Sequence, residues 1–315
     1  MVHVLYAGSP EPSAKTLELL VENASASGYG IAGVLTNPPS AQGRHKEFIP
    51  TPVARFAQEK NIPVFTPEHL DAAARGQIAV VNPDILVCFA YGHIFGPKFL
   101  SLFRFGGINL HPSLLPKYRG CTPVNAAVLN MDSETGVTVQ KIAQEMDEGD
   151  ILAQEIVRLN GLETAGSLLD YSAGHGAVLI RSILETVSET GMLPHGTPQT
   201  GMPSYTGIIT KENGRIDWSR TAAEIDAQIR AYTPEPGCWT TEKDEPLRIL
   251  TAHSADGGGT AQPGTVVSFD KKQGIMIQTG SGLLAVTMLQ RQAKRAMDAV
   301  SFMNGARDFV GTLLK

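Results

Sequence analysis

Residues 109–120 read Asn-Leu-His-Pro-Ser-Leu-Leu-Pro-Lys-Tyr-Arg-Gly and begin where a short predicted strand, residues 107–109, ends. Asn109 and His111 supply an amide and an imidazole, and the prolines that follow stiffen the turn. Open α/β sheets bind ligands beyond the carboxyl ends of their strands. We therefore expect this turn to line a functional site.

A second stretch, Met146-Asp147-Glu148-Gly149-Asp150, supplies a carboxylate. An amide can donate to a developing oxyanion, an imidazole can carry a proton near neutral pH, and a carboxylate can orient and charge that imidazole. Taken singly, Asn109 is also typical of a turn and His111 of a structural imidazole. Taken with Asp147, the two become candidate catalytic residues, and this combination requires no serine, thiol or metal.

Short apolar runs alternate with helical stretches in the first half of the chain, which is typical of an α/β fold with a mostly parallel, Rossmann-like sheet. Strands are predicted over residues 2–6, 31–36, 63–65, 84–89 and 107–109, and helices over residues 12–21, 51–60, 68–77, 96–102 and 164–190. Two further strands, residues 135–143 and 151–157, flank the loop that carries Asp147. These elements predict a catalytic domain over residues 1–190.

Residues 191–205 have the composition of a linker, with prolines, glycines and threonines. Beyond them, over residues 206–315, a helix is predicted at residues 222–232 and short strands are separated by Gly-rich turns. This spacing is typical of a small β-barrel, with an OB-like barrel as one candidate. The sequence Gly280-Ser281-Gly282-Leu283-Leu284-Ala285 spells a dinucleotide-binding pattern, but it lies between two predicted strands, so a hairpin turn is expected and a nicotinamide cofactor is not.

Composition excludes several classes of protein. The chain of 315 residues is 42% hydrophobic and 18% charged, as in an ordinary globular protein with room for two domains. It shows neither a signal sequence nor a membrane span, so we expect a cytoplasmic protein without a membrane partner. Cys88, Cys121 and Cys238 lack a CxxC spacing, and no disulfide framework or metal site is expected. The net charge of −5 confines any nucleic-acid contact to local patches.

The pattern Asn-x-His at residues 109–111, Ser-Leu-Leu-Pro at residues 113–116 and Met-Asp-x-Gly-Asp at residues 146–150 resembles the folate-dependent formyltransferases. These elements alone also fit the branch of the family that acts on glycinamide ribonucleotide. Other segments resemble the branch whose substrate is the charged initiator tRNA: Gln42-Gly43-Arg44-His45-Lys46, residues 50–57, Ala90-Tyr91-Gly92, residues 211–219, residues 229–237 and Leu289-Gln290. The resemblance covers nearly the whole chain.

The resemblance implies a formyl donor, 10-formyltetrahydrofolate, and an acceptor, the α-amine of methionine on the initiator tRNA. It places the folate against Ser113, Leu114, Leu115, Pro116, Ala90, Tyr91 and Gly92. It places Arg44 and Lys46 against the acceptor stem of the tRNA, where phosphate contacts position and base contacts select. A late basic cluster, Arg291, Lys294 and Arg295, either holds the tRNA backbone or is a solvated face. We expect a monomer.

Two alternatives remain open from the sequence. One is a formyltransferase that acts on an amino-sugar nucleotide with the same catalytic trio. The other is a catalytically silent nucleic-acid-binding protein built on the same scaffold.

Overall fold

A computed structural model describes residues 1–42, 47–306 and 308–315. The chain divides into two compact units. Unit 1 comprises Met1–Pro123, Glu134–Arg158 and Leu168–Thr206, and unit 2 comprises Val124–Ser133, Leu159–Ser167 and Gly207–Lys315. In this division the predicted linker falls in unit 1, and the boundaries proposed at residues 190 and 205 stay predictions.

Unit 1 is built on a twisted sheet. The strands of this part of the chain are β1 (Val2–Gly8), β2 (Tyr29–Leu35), β3 (Ser40–Gln42), β4 (Glu47–Ile49), β5 (Val64–Phe65), β6 (Ile85–Phe89), β7 (Gly107–His111), β8 (Arg119–Gly120), β9 (Glu134–Lys141), β10 (Ile151–Arg158) and β11 (Tyr205–Thr206). The main sheet has the order β10-β9-β7-β6-β1-β2-β5. Its strands run parallel except β9 and β10, which are antiparallel to their neighbours. The predicted mixed α/β fold with a mostly parallel sheet is confirmed.

The helices in this part of the chain are α1 (Glu11–Asn23), α2 (Pro52–Glu59), α3 (Ala72–Ala79), α4 (Pro97–Leu100), α5 (Pro123–Leu129) and α6 (Ala165–Thr190). From Val124 onward α5 belongs to unit 2, as do the first three residues of α6. Side-chain caps decide where two of these helices begin. The Thr51 hydroxyl accepts a hydrogen bond from the Ala54 amide at 3.1 Å, and a carboxylate oxygen of Asp71 accepts one from the Ala74 amide at 2.9 Å. The prediction that α3 starts at residue 68 was therefore wrong, because Asp71 caps it three residues later.

A row of aromatic rings packs beneath the sheet of unit 1. Tyr91, Phe95, Phe99 and Phe103 follow one another at ring-centroid distances of 5.6, 5.3 and 5.6 Å. All four are buried in one hydrophobic cluster with side chains of β1, β2 and β6. Ring pairs of this kind stabilise a core beyond the area that they bury. The cluster holds the carboxyl end of β6 against that of β1.

Unit 2 contains α7 (Ala222–Ala231), α8 (Ala299–Gly305) and the strands β12 (Cys238–Glu242), β13 (Glu245–Ala255), β14 (Val266–Asp270), β15 (Gly274–Gln278), β16 (Leu283–Arg291) and β17 (Met297–Asp298). The antiparallel order is β12-β13-β16-β15-β14, and β17 pairs with β16. The hairpin expected at residues 280–285 is confirmed, since the segment connects the antiparallel pair β15 and β16. The antiparallel β domain was expected from the sequence, whereas β12, α5 and α8 were not predicted.

The last residues of the chain bridge the two edges of this sheet. On one side, the Leu314 amide donates to the Gly264 carbonyl at 2.9 Å, and the Val266 amide to the Thr312 carbonyl at 2.9 Å. On the other side, the Thr241 amide donates to the Lys315 carbonyl at 2.8 Å. Backbone groups at both β14 and β12 are thus paired, as closure of a barrel requires. The predicted barrel depends on this terminal segment.

Leu314→Ala should destabilise unit 2 by about 3 kcal/mol, because the side chain is 2% exposed and truncation of a buried leucine leaves a cavity. Both tryptophans, Trp218 and Trp239, belong to unit 2, so urea unfolding followed by tryptophan fluorescence reports on this unit. Val310→Ala, at a side chain 44% exposed, serves as the control. Equal midpoints for the two variants would contradict the closing role of the terminal segment.

In the part of the chain that the structure describes, no helix is both long enough and apolar enough to span a bilayer.

Candidate active site

Strand β7 places Asn109 and His111 on the same side of the sheet, because side chains two residues apart in a strand share a face. Asn109 pairs with Cys88 of β6 and with Gln140 of β9, so it lies between the parallel and the antiparallel parts of the sheet. His111 is 4% exposed, and Asn109 is half-buried. The end of β7 is therefore paired on both sides and partly shielded from water.

The Asp147 carboxylate reaches the same end of β7. Its Oδ2 accepts a hydrogen bond from the Gly120 amide at 2.8 Å and lies 3.6 Å from Nδ1 of His111. Its Oδ1 accepts from Nε2 of Gln140 at 2.9 Å and from Nδ2 of Asn109 at 3.5 Å. The structure thus brings together the amide, the imidazole and the carboxylate that the sequence singled out.

The orientation of His111 follows from its other nitrogen. Nε2 lies 2.9 Å from the Tyr118 carbonyl oxygen, which can only accept, so Nε2 carries a hydrogen and donates. Nδ1, which faces Asp147, is then the nitrogen that can gain or lose a proton.

Two glycines allow the loops to approach this closely. Gly120 has φ of 105°, and a Cβ there would lie 2.3 Å from the Thr206 carbonyl oxygen. A Cβ on Gly149 would lie 1.8 Å from the Lys141 carbonyl oxygen. Between them, Asp147 itself adopts a left-handed conformation with φ of 57°, which aspartate tolerates better than most residues. The Asp147 loop can therefore fold tightly against β9.

The residues expected on the folate side fall into two groups. Ala90 and Gly92, at the end of β6, are exposed and have φ of 53° and 87°, so the backbone turns outward here. The Tyr91 side chain instead packs downward into the aromatic row, where burial raises the pKa of its phenol to about 12. At residues 90–92, Ala90 and Gly92 are therefore placed to face a ligand, and the Tyr91 side chain is not.

The turn at residues 113–116 is largely internal. Ser113 is fully buried, and its hydroxyl donates to the Lys117 carbonyl at 2.6 Å. Leu115 is 4% exposed, while Leu114 and Pro116 are half-buried. Ser113 and Leu115 thus shape the turn from inside, and Leu114 and Pro116 present more surface to a ligand.

The predicted tRNA contacts Arg44 and Lys46 lie outside the described residues, between β3 and β4. In the late basic cluster, Arg291 forms two hydrogen bonds with the Glu242 carboxylate, at 2.8 and 2.7 Å, and lies over the Phe302 ring. Its guanidinium is therefore already paired, whereas Lys294 and Arg295 are exposed.

Sequence reasoning missed Gln140 and Gln199, both of which contact the Asp147 loop. Gln140 donates to the carboxylate, and Nε2 of Gln199 lies 2.8 Å from the Asp147 carbonyl oxygen. A single glutamine within a strand or a linker carries no local pattern. Only the register of β9 against β7 could have indicated Gln140, because that residue lies opposite Asn109.

Across the described ranges, no group of three or more His, Cys, Asp or Glu side chains is arranged to hold a metal ion. The site consists instead of a hydrogen-bond donor, an imidazole and a carboxylate at the carboxyl end of a parallel strand. Such a group suits transfer of a small acyl group, since it can stabilise an oxyanion and accept a proton from an attacking amine.

Comparison with known proteins identifies the class. The profile described as formyl transferase matches residues 2–180, and the profile of the formyl transferase C-terminal domain matches residues 208–307. The chain belongs to the formyl transferase family.

Two relatives within this family share one name. The methionyl-tRNA formyltransferase of Treponema denticola is 41% identical over 98% of this chain and 98% of its own length. That of Treponema pallidum is 42% identical over 97% of each chain. Among solved structures, the chain is similar to WlaRD, a sugar 3N-formyl transferase whose crystal structure was determined in the presence of dTDP and 5-N-formyl-THF. The TM-score is 0.63 at 20% sequence identity, and the match covers 94% of this chain and 99% of that chain. This last likeness shows the shared fold.

The three cysteines offer a simple test of the fold around this site. Cys121, next to Gly120, is exposed, while Cys88 and Cys238 are buried, and burial raises the pKa of both buried thiols to about 12. Because the thiolate is the reactive form, the native protein at pH 8 should titrate one thiol per chain with Ellman's reagent, and the denatured protein three. Mass spectrometry after differential alkylation should assign the reactive thiol to Cys121. Rapid native labelling of Cys88 or Cys238 would show that the core is packed differently.

Proposed function

We propose that this protein transfers a formyl group from 10-formyltetrahydrofolate to the α-amine of methionine on the initiator tRNA, and so supports translation initiation. The observation that carries the reaction type is the meeting of Asp147 with Asn109, His111 and Gly120 at the end of β7. The choice of acceptor is supported by relatives of that name, which are 41% and 42% identical over nearly the whole chain.

The residues at the end of β6 fit a folate donor. The outward-turned backbone at Ala90 and Gly92 belongs to the strand that pairs with β7, with Cys88 opposite Asn109. A Cβ on Gly92 would meet nothing within 4 Å, so there is open space above this turn. Backbone groups here would hold the pterin, and Ser113, Leu114, Leu115 and Pro116 would form and support the adjoining wall.

The roles of the three side chains follow from their geometry. A bound donor supplies a formyl carbon whose oxygen becomes negatively charged when an amine attacks. Nδ2 of Asn109 has one hydrogen directed at Asp147 over 3.5 Å, which leaves the other free to donate to that oxygen. A donor of this kind typically contributes about 3 kcal/mol to stabilising the transition state. The protonated Nδ1 of His111 would stabilise the same charge.

Asp147 is the group that accepts the proton. Its side chain is 11% exposed, so the carboxylate is shielded but still reachable by an amine or by one bridging water. A proton would pass from the attacking amine to Asp147. The Asp147–His111 pair would then deliver a proton to the folate nitrogen that leaves. The proton lost by the amine and the proton gained by the leaving nitrogen are then both handled by Asp147 and His111.

On the tRNA side, Arg44 and Lys46 would enter the acceptor stem, and Lys294 and Arg295 would contact backbone phosphates. The proposal places the protein in the cytoplasm, where tRNA is charged, and we keep the prediction that it acts as a monomer.

With only these four cations assigned to the RNA in an acidic protein, binding should weaken by about a hundredfold between 50 and 200 mM salt. Lys294→Ala and Arg295→Ala should each lower the slope of log K against log salt by about one unit without changing sequence preference. Filter binding of the initiator tRNA across this salt range measures both quantities. An affinity that is independent of salt would contradict the assignment.

The decisive experiment for the proposal is turnover with 10-formyltetrahydrofolate and three acceptors: charged initiator tRNA, uncharged tRNA and an amino-sugar nucleotide. We expect formylation of the charged tRNA alone. Formylation of the sugar amine alone would support the first alternative, and tRNA binding without turnover the second.

A further inference from the structure

Gln199 lies in the segment predicted as a linker, yet its half-buried side chain contacts the candidate active site. Its Oε1 accepts hydrogen bonds from Nε and Nη2 of Arg119, at 3.2 and 2.8 Å. Its Nε2 lies 2.8 Å from the Asp147 carbonyl oxygen, 2.9 Å from that of Gly149 and 3.1 Å from Oε1 of Gln140. One amide group therefore joins both ends of the Asp147 turn to the rest of unit 1.

The turn needs such support. Asp147 has φ of 57°, and a residue other than glycine persists in this region only where its surroundings hold it there. The hydrogen bonds to the carbonyls of Asp147 and Gly149 fix the backbone on either side of the strained peptide. Since the direction of the carboxylate depends on this backbone as well as on its own hydrogen bonds, Gln199 contributes to the 3.6 Å separation between Asp147 and His111.

Arg119 anchors the other end of the contact. Its side chain is 10% exposed, pairs with the Glu148 carboxylate and contacts the Tyr205 hydroxyl at 3.2 Å. Arg119 and Gln199 thus both hold the Asp147 turn. Arg119 acts through the Glu148 side chain, and Gln199 acts through the backbone carbonyls of Asp147 and Gly149. Loss of an acceptor by the buried guanidinium of Arg119 would be unfavourable, so this contact also favours the observed position of Gln199.

We infer that Gln199 is a positioning residue for the formyl transfer reaction, acting through Asp147 without touching either substrate. The inference rests on the proposed function for its kinetic consequences, but its structural part does not. It assigns a role in the catalytic geometry to residues 191–205, the segment predicted as a linker.

Gln199→Glu tests the acceptor and the donor functions of this side chain separately. The carboxylate keeps an acceptor for Arg119 and strengthens that bond, but it cannot donate to the carbonyls of Asp147 and Gly149. We expect kcat to fall about 10- to 100-fold with KM for the donor nearly unchanged and a native circular dichroism spectrum, as for a misplaced catalytic group. Gln199→Ala should lose comparable activity and some stability. Thr200→Ala, at the exposed neighbouring side chain, is the matched control.

A double-mutant cycle tests whether the effect passes through Asp147. In an Asp147→Asn background, measured under single-turnover conditions, Gln199→Glu should have little further effect, because the carboxylate that it positions is already gone. A purely structural role would reduce activity in both backgrounds by the same factor. Wild-type kcat in Gln199→Glu, or full additivity in the cycle, would overturn the inference.

Hydrogen exchange separates this inference from the proposed function. In the free protein, peptides covering residues 144–151 should exchange faster in Gln199→Glu than in the wild type and in Thr200→Ala. If the wild type formylates nothing but this exchange increases, the proposed function fails and the positioning of the turn stands. Unchanged exchange in Gln199→Glu overturns the inference whatever the activity.

Discussion

Asp147→Asn is expected to lower kcat by about a thousandfold or more, which is within the range that loss of a general base produces. Asparagine keeps the shape of the side chain and tolerates the left-handed φ of 57° as well as aspartate does. It cannot accept a proton from the amine, and it removes the negative charge that lies 3.6 Å from His111. The change therefore isolates charge and basicity from backbone conformation.

A moderate loss of stability should accompany this substitution. Both carboxylate oxygens accept hydrogen bonds, from the Gly120 amide and from Nε2 of Gln140, and an asparagine can satisfy only one of these donors. An unsatisfied buried donor costs about 1–3 kcal/mol. Thermal unfolding should show this loss while circular dichroism remains native.

Glu145→Gln is the control for Asp147→Asn. It removes the same charge from an exposed side chain two residues away on the same loop, and activity should stay within about twofold of wild type, as surface changes usually do. Near-normal turnover in Asp147→Asn would remove this carboxylate from the reaction.

Asn109→Ala carries the second large effect, a loss of about a hundredfold or more in kcat, as when one oxyanion donor is deleted. The interaction forms only as charge develops on the formyl oxygen, so KM for either substrate should change little. Steady-state kinetics with both substrates varied measures the effects on kcat and on each KM separately.

Asn109→Asp is a useful companion variant. It preserves shape but removes both amide hydrogens and places a second carboxylate 3.5 Å from Asp147. Its activity should be no higher than that of Asn109→Ala. If Asn109→Ala raises KM alone with kcat intact, Asn109 binds a substrate in its ground state and is not an oxyanion donor.

Local patterns in the sequence were enough to predict the strand that carries the site. The run before Asn109 has the composition of a buried strand, and the structure extends it to His111 as β7. The loop with Asp147 was also predicted to lie between two strands, residues 135–143 and 151–157, and the structure has these strands at Glu134–Lys141 and Ile151–Arg158. That Asn109, His111 and Asp147 form one site could be predicted because an amide, an imidazole and a carboxylate together suit oxyanion stabilisation and proton transfer.

The contacts that hold the trio could not be predicted in the same way. Gln199 and Arg119 are far apart in sequence, and they meet near the place where β11 pairs with β8. The segment of Gln199 has a linker composition, and composition does not report tertiary hydrogen bonds. The contacts of the terminal residues with β12 and β14 are likewise long-range and leave no periodic signal. Tyr91 was predicted to lie on the folate side from its place in the chain, but only packing shows that its side chain points into the core.

The most direct test is a crystal structure of the protein with a stable formyl-folate analogue and a methionine-ester acceptor. We expect the formyl oxygen within about 3.5 Å of both Nδ2 of Asn109 and Nδ1 of His111, with the acceptor nitrogen facing Asp147. A donor bound away from the carboxyl ends of β6 and β7, with these three side chains contacting neither substrate, would contradict it.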